Sequence, residues 1–399
     1  MSREYLVNVN EAVNIEDLRQ LAARWVPRGI FDFVEGGVED EIGLANNQQV
    51  FRRCRLVPRY LVDTSHHTQT TTLFGRQFSA PFGIAPMGLC GLFRPGADIF
   101  LASAARGAGI PYVMSNMSSA SIEEGVTAGG DCTFFQLYAA KDPSITLTNL
   151  KRVADLGVQT LMYAVDTPVV AKRERLLRSG FEMGKRPTLP YLLEALRHPG
   201  WIYEYFRSGG MPKLKNWLLP EETARTSMLE ILQRFSKEFA YRSQTWKDLE
   251  LVRRHWPGNL LVKGILHPGD AMRSVEMGAD GIVVSNHGGR QLDLAPSPLE
   301  MLPLVRASVS PGIPVMLDSG IRRGSDIVCA ISLGASFVFV GRAALYGAIA
   351  GKQRGAARAI DILRNEIDQQ MGQLGCASIE DLGPHLFMDR VLQFVADSR

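Results

Sequence analysis

Cysteine is sparse and unpatterned in this chain. Its five cysteines (Cys54, Cys90, Cys132, Cys329 and Cys376) form no Cys-x-x-Cys pair. That excludes the common zinc ribbons and gives no disulfide framework to expect. Such usage fits a reducing compartment, so a cytoplasmic protein without a metal is the expectation. Long apolar runs are missing too. None approaches the ~20 residues of a membrane-spanning helix. The opening MSREYLVNVNEAVNIEDL is polar and acidic, unlike a secretory leader. Excess charge is absent: a net +3 is too little to argue for a nucleic-acid partner. No low-complexity segment occurs, and no G-x-G-x-x-G follows an early strand-like run. The 399 residues suffice for one large domain or two ordinary ones.

What the chain does have is a regular alternation. Eight short apolar runs are bounded by Gly, Pro or polar clusters: PFGIAP (81–86), YVMS (112–115), CTFFQLY (132–138), TLMYAVD (160–166), LLVKG (260–264), GIVVSN (281–286), PVMLDSG (314–320) and FVFVGR (337–342). Continuous rather than alternating apolar character predicts parallel strands buried on both faces. Helix-like stretches ending in Gly lie between them, among them GADIFLASAARGAG, HPGDAMRSVEMGA and GSDIVCAISLGA. Eight strands alternating with helices predict an α/β fold, a TIM (β/α)₈ barrel. A doubly wound sheet is the alternative. The expected single domain has an N-terminal helical extension (1–80), the barrel (81–355) with a long insert after strand four (181–225), and a C-terminal helical segment (356–399). Asn14 with Asp17 predicts a helix cap before IEDLRQLAARW.

In such barrels the active site lies at the C-terminal ends of the strands. Those ends read Pro86-Met87-Gly88, Ser115, Gln136 with Tyr138, Asp166, Lys263, Ser285-Asn286-His287, Asp318-Ser319-Gly320 and Gly341-Arg342. Polar groups scattered through a core would not respect strand ends so regularly. His287, in SNHGGRQLD, is therefore read as an acid/base rather than a core histidine. The glycines after it give room and unusual dihedrals. The seventh and eighth ends, with Ile321, Arg322 and Arg323, offer helix-start amides and guanidinium groups to an anion such as phosphate. One of Arg322 and Arg323 is expected to be a solvated helix-start charge.

The motifs SNHGGRQLD, LDSGIRRG, VGRA, FFQLY, AVDTP…KRER and LVKG occur in order along the chain. Together they resemble the FMN-dependent L-2-hydroxy acid oxidase and dehydrogenase family, over essentially the whole length. The resemblance implies oxidation of a small-molecule 2-hydroxy acid, with FMN as cofactor and quinone or oxygen as electron acceptor. It implies His287 as base, with Asp318 behind it as its orienting carboxylate. Arg173 and Arg290 would bind the substrate carboxylate in the bidentate way that lysine cannot. Lys263 would lie near the flavin N1/O2 edge, Ser115 and Gln136 would hydrogen-bond the ring, and the Tyr138 hydroxyl would face the substrate. Pro86, Met87, Gly88, Ser285, Asp318, Ser319, Gly320, Ile321, Arg322, Gly341 and Arg342 complete the expected cofactor set. A homotetramer is the family expectation.

Two positions depart from the family pattern. Phe33 stands where many members have a tyrosine that touches the carboxylate, and losing that hydroxyl should cost about 0.5–1.5 kcal/mol. Ala164 stands where threonine is usual. Gly88 is small where short-chain members often carry alanine. With the likeness of APMGLCGLFRPGADIFLASAA to the mandelate-oxidising branch, this predicts an aromatic substrate such as (S)-mandelate. L-lactate or another aliphatic acid is the alternative. Other FMN barrels, such as nucleotide dehydrogenases, lack the His287, Arg290 and Arg173 set. A flavin-binding protein without turnover is the competing non-enzyme reading.

The insert raises a separate expectation. Over 185–217 the basic Lys185, Arg186, Arg197, Arg207, Lys213 and Lys215 face only Glu194 and Glu204. Tyr191, Trp201, Tyr203, Tyr205, Phe206 and Trp217 are interleaved. That mixture suits a peripheral anchor on the inner face of the cell membrane. An active-site lid or an oligomer contact is the other reading.

Overall fold

The eight apolar runs close on themselves. The structure is a computed structural model, and it describes residues 8–180, 189–217, 228–239 and 244–389. Ten strands are present among them: β1 (Thr71–Leu73), β2 (Arg76–Phe78), β3 (Phe82–Ile84), β4 (Tyr112–Ser115), β5 (Thr133–Leu137), β6 (Thr160–Ala164), β7 (Asn259–Ile265), β8 (Gly281–Val284), β9 (Val315–Leu317) and β10 (Phe337–Val340). Strands β3 to β10 form a closed parallel barrel in sequence order, β10 pairing with β3. These are the eight strands the sequence predicts, so the fold is the (β/α)₈ barrel.

Alternate residues of those strands point inward. Val113, Phe134, Met162, Leu261, Val283 and Met316 are among the residues filling the interior as one packed cluster. Strands β1 and β2 form an antiparallel hairpin that the sequence reading did not anticipate. Its Leu73 and Phe78 join the same cluster. The turn puts Phe74 and Gly75 at φ +51° and +73°, the twist a two-residue hairpin needs.

The extension reaches the barrel mouth through two helices. Asn14 caps helix Ile15–Trp25, its side chain accepting from the Asp17 amide at 2.9 Å. Ile15, Leu18 and Ala22, on one face, are buried. That helix packs on the long helix Arg342–Leu374, which kinks at Gly351–Lys352. Helix Arg28–Glu35 follows. It buries Ile30, Phe31 and Val34 and ends at Gly36.

The cysteines correct one expectation. Cys54 and Cys329 are joined by a disulfide across 275 residues of sequence. It links the end of the turn Val50–Arg53 to helix Gly324–Ser332. Spacing could not announce it, because the two segments meet only in the folded barrel. Cys90, Cys132 and Cys376 are free and buried.

The insert after β6 is docked where it is described. Helices Leu189–Ala195 and Pro199–Arg207 lie in it. Trp201 Nε1 donates to the Leu92 carbonyl at 3.1 Å. Glu204 pairs with Arg94 at 2.9 Å and with Lys352 at 3.1 Å. Lys185 and Arg186 lie outside the described residues.

Candidate active site

The C-terminal strand ends bring one histidine, one lysine and two carboxylates together. His287 follows β8 with φ +57°, a conformation a side-chain-bearing residue adopts at a cost. Gly288 and Gly289 continue at +70° and +72°, so the chain turns sharply away from the imidazole. His287 Nδ1 is 2.9 Å from Asp166 Oδ1. Its Nε2 is 3.5 Å from the Tyr138 hydroxyl. A carboxylate at Nδ1 fixes a proton there and leaves Nε2 as the basic nitrogen.

The carboxylate behind His287 is thus Asp166, at the end of β6. Asp318, which the sequence reading put in that role, pairs with Lys263 Nζ at 3.1 Å. The reason is local. Gly264 sits at a bulge in β7 with φ +102°, and a β carbon there would overlap the Asp166 side chain. The missing Cβ lets Asp166 reach between His287 and Lys263, whose Nζ is 3.8 Å from its Oδ2. Asp166 was already visible as a polar strand end. What sequence could not supply was which of two aspartates stands nearer the ring.

Lys263 is only 4 % exposed. Besides Asp318 it donates to Ser285 Oγ at 2.9 Å. That oxygen also accepts the His287 amide at 3.1 Å. Ser319 Oγ donates to Asp318 at 2.9 Å and accepts the Gly288 amide at 3.0 Å. Burial alone would lower the lysine, yet the two carboxylates hold it above its ordinary value. Burial alone would raise Asp166, but the charges of His287 and Lys263 outweigh that and hold it low. Burial pushes the Tyr138 hydroxyl up, so it stays protonated.

Three arginines line the same mouth. Arg290 donates to the carbonyls of Phe33 at 2.9 Å, Val34 at 3.3 Å and Gly36 at 2.7 Å. Arg342 donates to Val34 at 2.7 Å, Gly36 at 3.2 Å and Gly288 at 2.9 Å. The C-terminal end of helix Arg28–Glu35, the negative pole of its dipole, therefore holds both cations. Arg173 precedes helix Glu174–Arg178, and its Nε is buried with no hydrogen-bond partner among the described residues. Burial, then the charges of Arg173 and Arg342, push Arg290 well below its ordinary value. Burial lowers Arg173, and lowers Arg342 to about 10. Among the described residues, no carboxylate is among the main groups acting on Arg173 or Arg290. Desolvated cations so placed call for an anion. Phe33 presents its ring 5.6 Å from the Arg290 guanidinium.

The remaining strand ends fit a flat polar cofactor with a phosphate. Ser115 Oγ donates to Gln136 Oε1 at 3.0 Å, while Gln136 Nε2 is buried without a partner among the described residues. That amide can donate to a ring carbonyl. Gly341 starts helix Arg342–Leu374 with no side-chain cap, and a β carbon there would meet nothing nearer than 3.7 Å. An uncapped helix start with room above it and arginine beside it suits a phosphate. Ser319 and Gly320, at φ +79° and +87°, turn the chain toward Ile321. Arg322 lies over Tyr346, whereas Arg323 pairs with Glu366 at 2.6 Å and is the solvated one of the two. Pro86, Met87 and Gly88 lie between β3 and helix Cys90–Phe93. A β carbon on Gly88 would sit 2.8 Å from Met117 Cβ. Ala164, at the end of β6, is buried and pairs with Lys263 across the ladder.

Gly264 gives a first expected outcome. Gly264→Ala combines a positive φ with overlap onto Asp166, so it should cost about 1–3 kcal/mol. A thermal melt would show a drop of several degrees. An unchanged melt would mean Asp166 does not need that gap.

Comparison with known proteins follows the same lines. Residues 22–389 match the model of the FMN-dependent dehydrogenases. The chain is 39 % identical over 371 residues to (S)-mandelate dehydrogenase of Pseudomonas putida, covering 93 % of this chain and 92 % of the relative. It is 38 % identical to a putative L-lactate dehydrogenase of Mycobacterium tuberculosis, covering 94 % and 88 %. The crystal structure of the monotopic membrane protein (S)-mandelate dehydrogenase superposes with a TM-score of 0.90 at 38 % identity, covering 94 % of this chain and 99 % of that one.

Proposed function

The chain belongs to the FMN-dependent dehydrogenase family, and from that premise we propose that it oxidises an aromatic (S)-2-hydroxy acid, (S)-mandelate or a near analogue, to the 2-oxo acid. It is an FMN-dependent enzyme acting on 2-hydroxy acids, as its relatives are named for mandelate and for L-lactate. The observation that carries the reading is the meeting of an oriented base with two buried arginines on which no carboxylate among the described residues is a main influence. His287 Nε2 takes a proton from the substrate, and Asp166 stabilises the imidazolium that forms. Arg290 and Arg173 hold the substrate carboxylate, and Tyr138 hydrogen-bonds beside it. Ser115 and Gln136 on one side and Gly341 and Arg342 on the other would hold FMN, which would supply the two-electron oxidant. Lys263 keeps positive charge near the place where reduction adds a negative one. An aromatic side chain is favoured by the partly buried Phe33 ring beside Arg290.

The test is an anaerobic titration with (S)-mandelate and, separately, L-lactate, following the visible flavin band. Faster bleaching by (S)-mandelate is expected. Faster bleaching by L-lactate would overturn the aromatic reading. A band that neither acid bleaches would favour flavin binding without turnover. Admitting air then separates oxygen from other acceptors.

A membrane surface is part of the proposal. Leu189, Leu192, Leu193, Tyr203 and Phe206 are exposed on the two insert helices, and Leu196 in the turn between them. Exposed large apolar side chains concentrated in one segment suit a contact surface. Trp201 and Trp217, which the sequence reading counted among the anchoring aromatics, are instead buried against the protein. A quinone is the acceptor that this placement favours. Each exposed leucine buried in lipid contributes about 1.5–3 kcal/mol. The double change Leu192→Glu and Leu193→Glu should therefore lower binding to anionic vesicles about tenfold or more, with turnover on a soluble dye unchanged. Equal vesicle binding would leave the insert as a lid or oligomer contact.

A further inference from the structure

Asp98, in the first turn of helix Ala97–Ala108, is a buried carboxyl outside the machinery described above. It is 2 % exposed. Among the described residues, no arginine, lysine or histidine is among the main groups that act on it. Burial pushes it up to about 6, against the Ser118 hydroxyl and the Ser119 amide, which pull it down. The Cys90 thiol and the Tyr112 hydroxyl also face it. A lone buried carboxyl is costly unless its hydrogen bonds are used.

One such bond ends on the turn after β4, while Oδ1 is buried with no hydrogen-bond partner among the described residues. Asp98 Oδ2 accepts the Ser119 amide at 3.3 Å. The turn begins at Ser115, whose carbonyl accepts the Ser118 amide at 2.9 Å and whose hydroxyl accepts the Met117 amide at 3.1 Å. The same turn is stitched to the loop after β3. The Leu89 amide donates to the Met117 carbonyl at 2.8 Å, and the Gly91 amide to Ser119 Oγ at 3.2 Å. Cys90 Sγ lies 3.4 Å from the Met87 carbonyl. Asp98 thus anchors, from behind, the junction of two loops. One carries Met87 and Gly88, and the other carries Ser115, which in turn orients Gln136.

We propose that Asp98 is a positioning residue for the flavin cradle, holding the turn 115–119 against the loop 87–91 so that Ser115, Gln136 and Gly88 present one fixed surface to the ring. The inference rests on the reading that these residues contact FMN. Asp98 touches neither cofactor nor substrate itself.

The test uses full-length protein, stripped of FMN and reloaded. Asp98→Ala leaves the Ser119 amide buried without an acceptor. It should weaken FMN binding about tenfold and shift the visible band of the saturated protein. Asp98→Asn keeps an oxygen for that amide, and it should restore both to within about twofold of wild type. A lowered melting temperature in Asp98→Ala with affinity and band unchanged would overturn the proposal. If Asp98→Ala does not fold, Asp98→Ser is read in its place, and failure of both to fold would also overturn it. Ser115→Ala and Gln136→Leu separate the two levels. If they weaken FMN binding and Asp98→Ala does not, this inference alone fails. If none of the three matters, the assignment of the cradle fails with it.

Discussion

His287→Gln should retain FMN and lose flavin reduction by about 10⁴-fold, the upper range for removal of a positioned general base. The site explains why binding and chemistry part company here. The His287 side chain is held by Asp166 and approached by Tyr138, and only its backbone amide joins the Ser285 hydroxyl that Lys263 also uses. Removing the ring leaves the lysine, the serines and the helix start in place. A stopped-flow trace with saturating (S)-mandelate reads the loss directly. Asp166→Asn should lose about 10²–10⁴-fold in the same trace, because the imidazolium then forms without its counter-charge. Asp318→Asn removes the nearer partner of Lys263 and should act mainly on FMN affinity and on the flavin potential. If Asp318→Asn slowed reduction as severely as Asp166→Asn with FMN fully bound, the division of labour between the two aspartates would be wrong. Asp166 is held below its ordinary range, so it stays charged through mildly acid conditions. By linkage, its contribution to stability is present above about pH 3.8, the unfolded value, and is lost as pH falls below that through the depressed folded value. The acid limb of the rate profile therefore should not come from Asp166.

The barrel was legible because each strand is short, apolar on both faces and closed by a polar or glycine residue. Those features survive in a linear string. The site was legible as a set of strand ends, and the fold places His287, Lys263 and Arg290 around Tyr138. Three things were not legible. The partner of His287 depends on a bulge at Gly264, a register detail that leaves no pattern beyond one glycine. The hairpin of β1 and β2 is six residues of ladder, too short for a periodic signal. The Cys54–Cys329 bond joins segments 275 residues apart, which no spacing rule covers. The insert sits between these cases. Its composition pointed to an interface, but composition could not say that Trp201 and Trp217 turn inward while Tyr203 and Phe206 turn outward.

Arg290→Met should lower kcat/KM for (S)-mandelate by about 10²–10⁴-fold, since two hydrogen bonds to a charged group contribute about 1.5–3 kcal/mol each. Arg290→Lys keeps the charge without the planar fork and should recover only part of that, about tenfold. The more telling measurement is the melt of the FMN-free protein. Arg290 is held down by burial and by the charges of Arg173 and Arg342, so its cation is out of place until an anion arrives. Its donors end on the carbonyls of Phe33, Val34 and Gly36, and Arg342 already satisfies two of those three. Removing Arg290 should therefore leave the melting temperature at or above that of wild type while activity collapses. That opposition is expected of a group kept for binding at the expense of stability. A variant that lost activity and several degrees together would instead make Arg290 a strut between the extension and the barrel, and would pass the carboxylate to Arg173 alone.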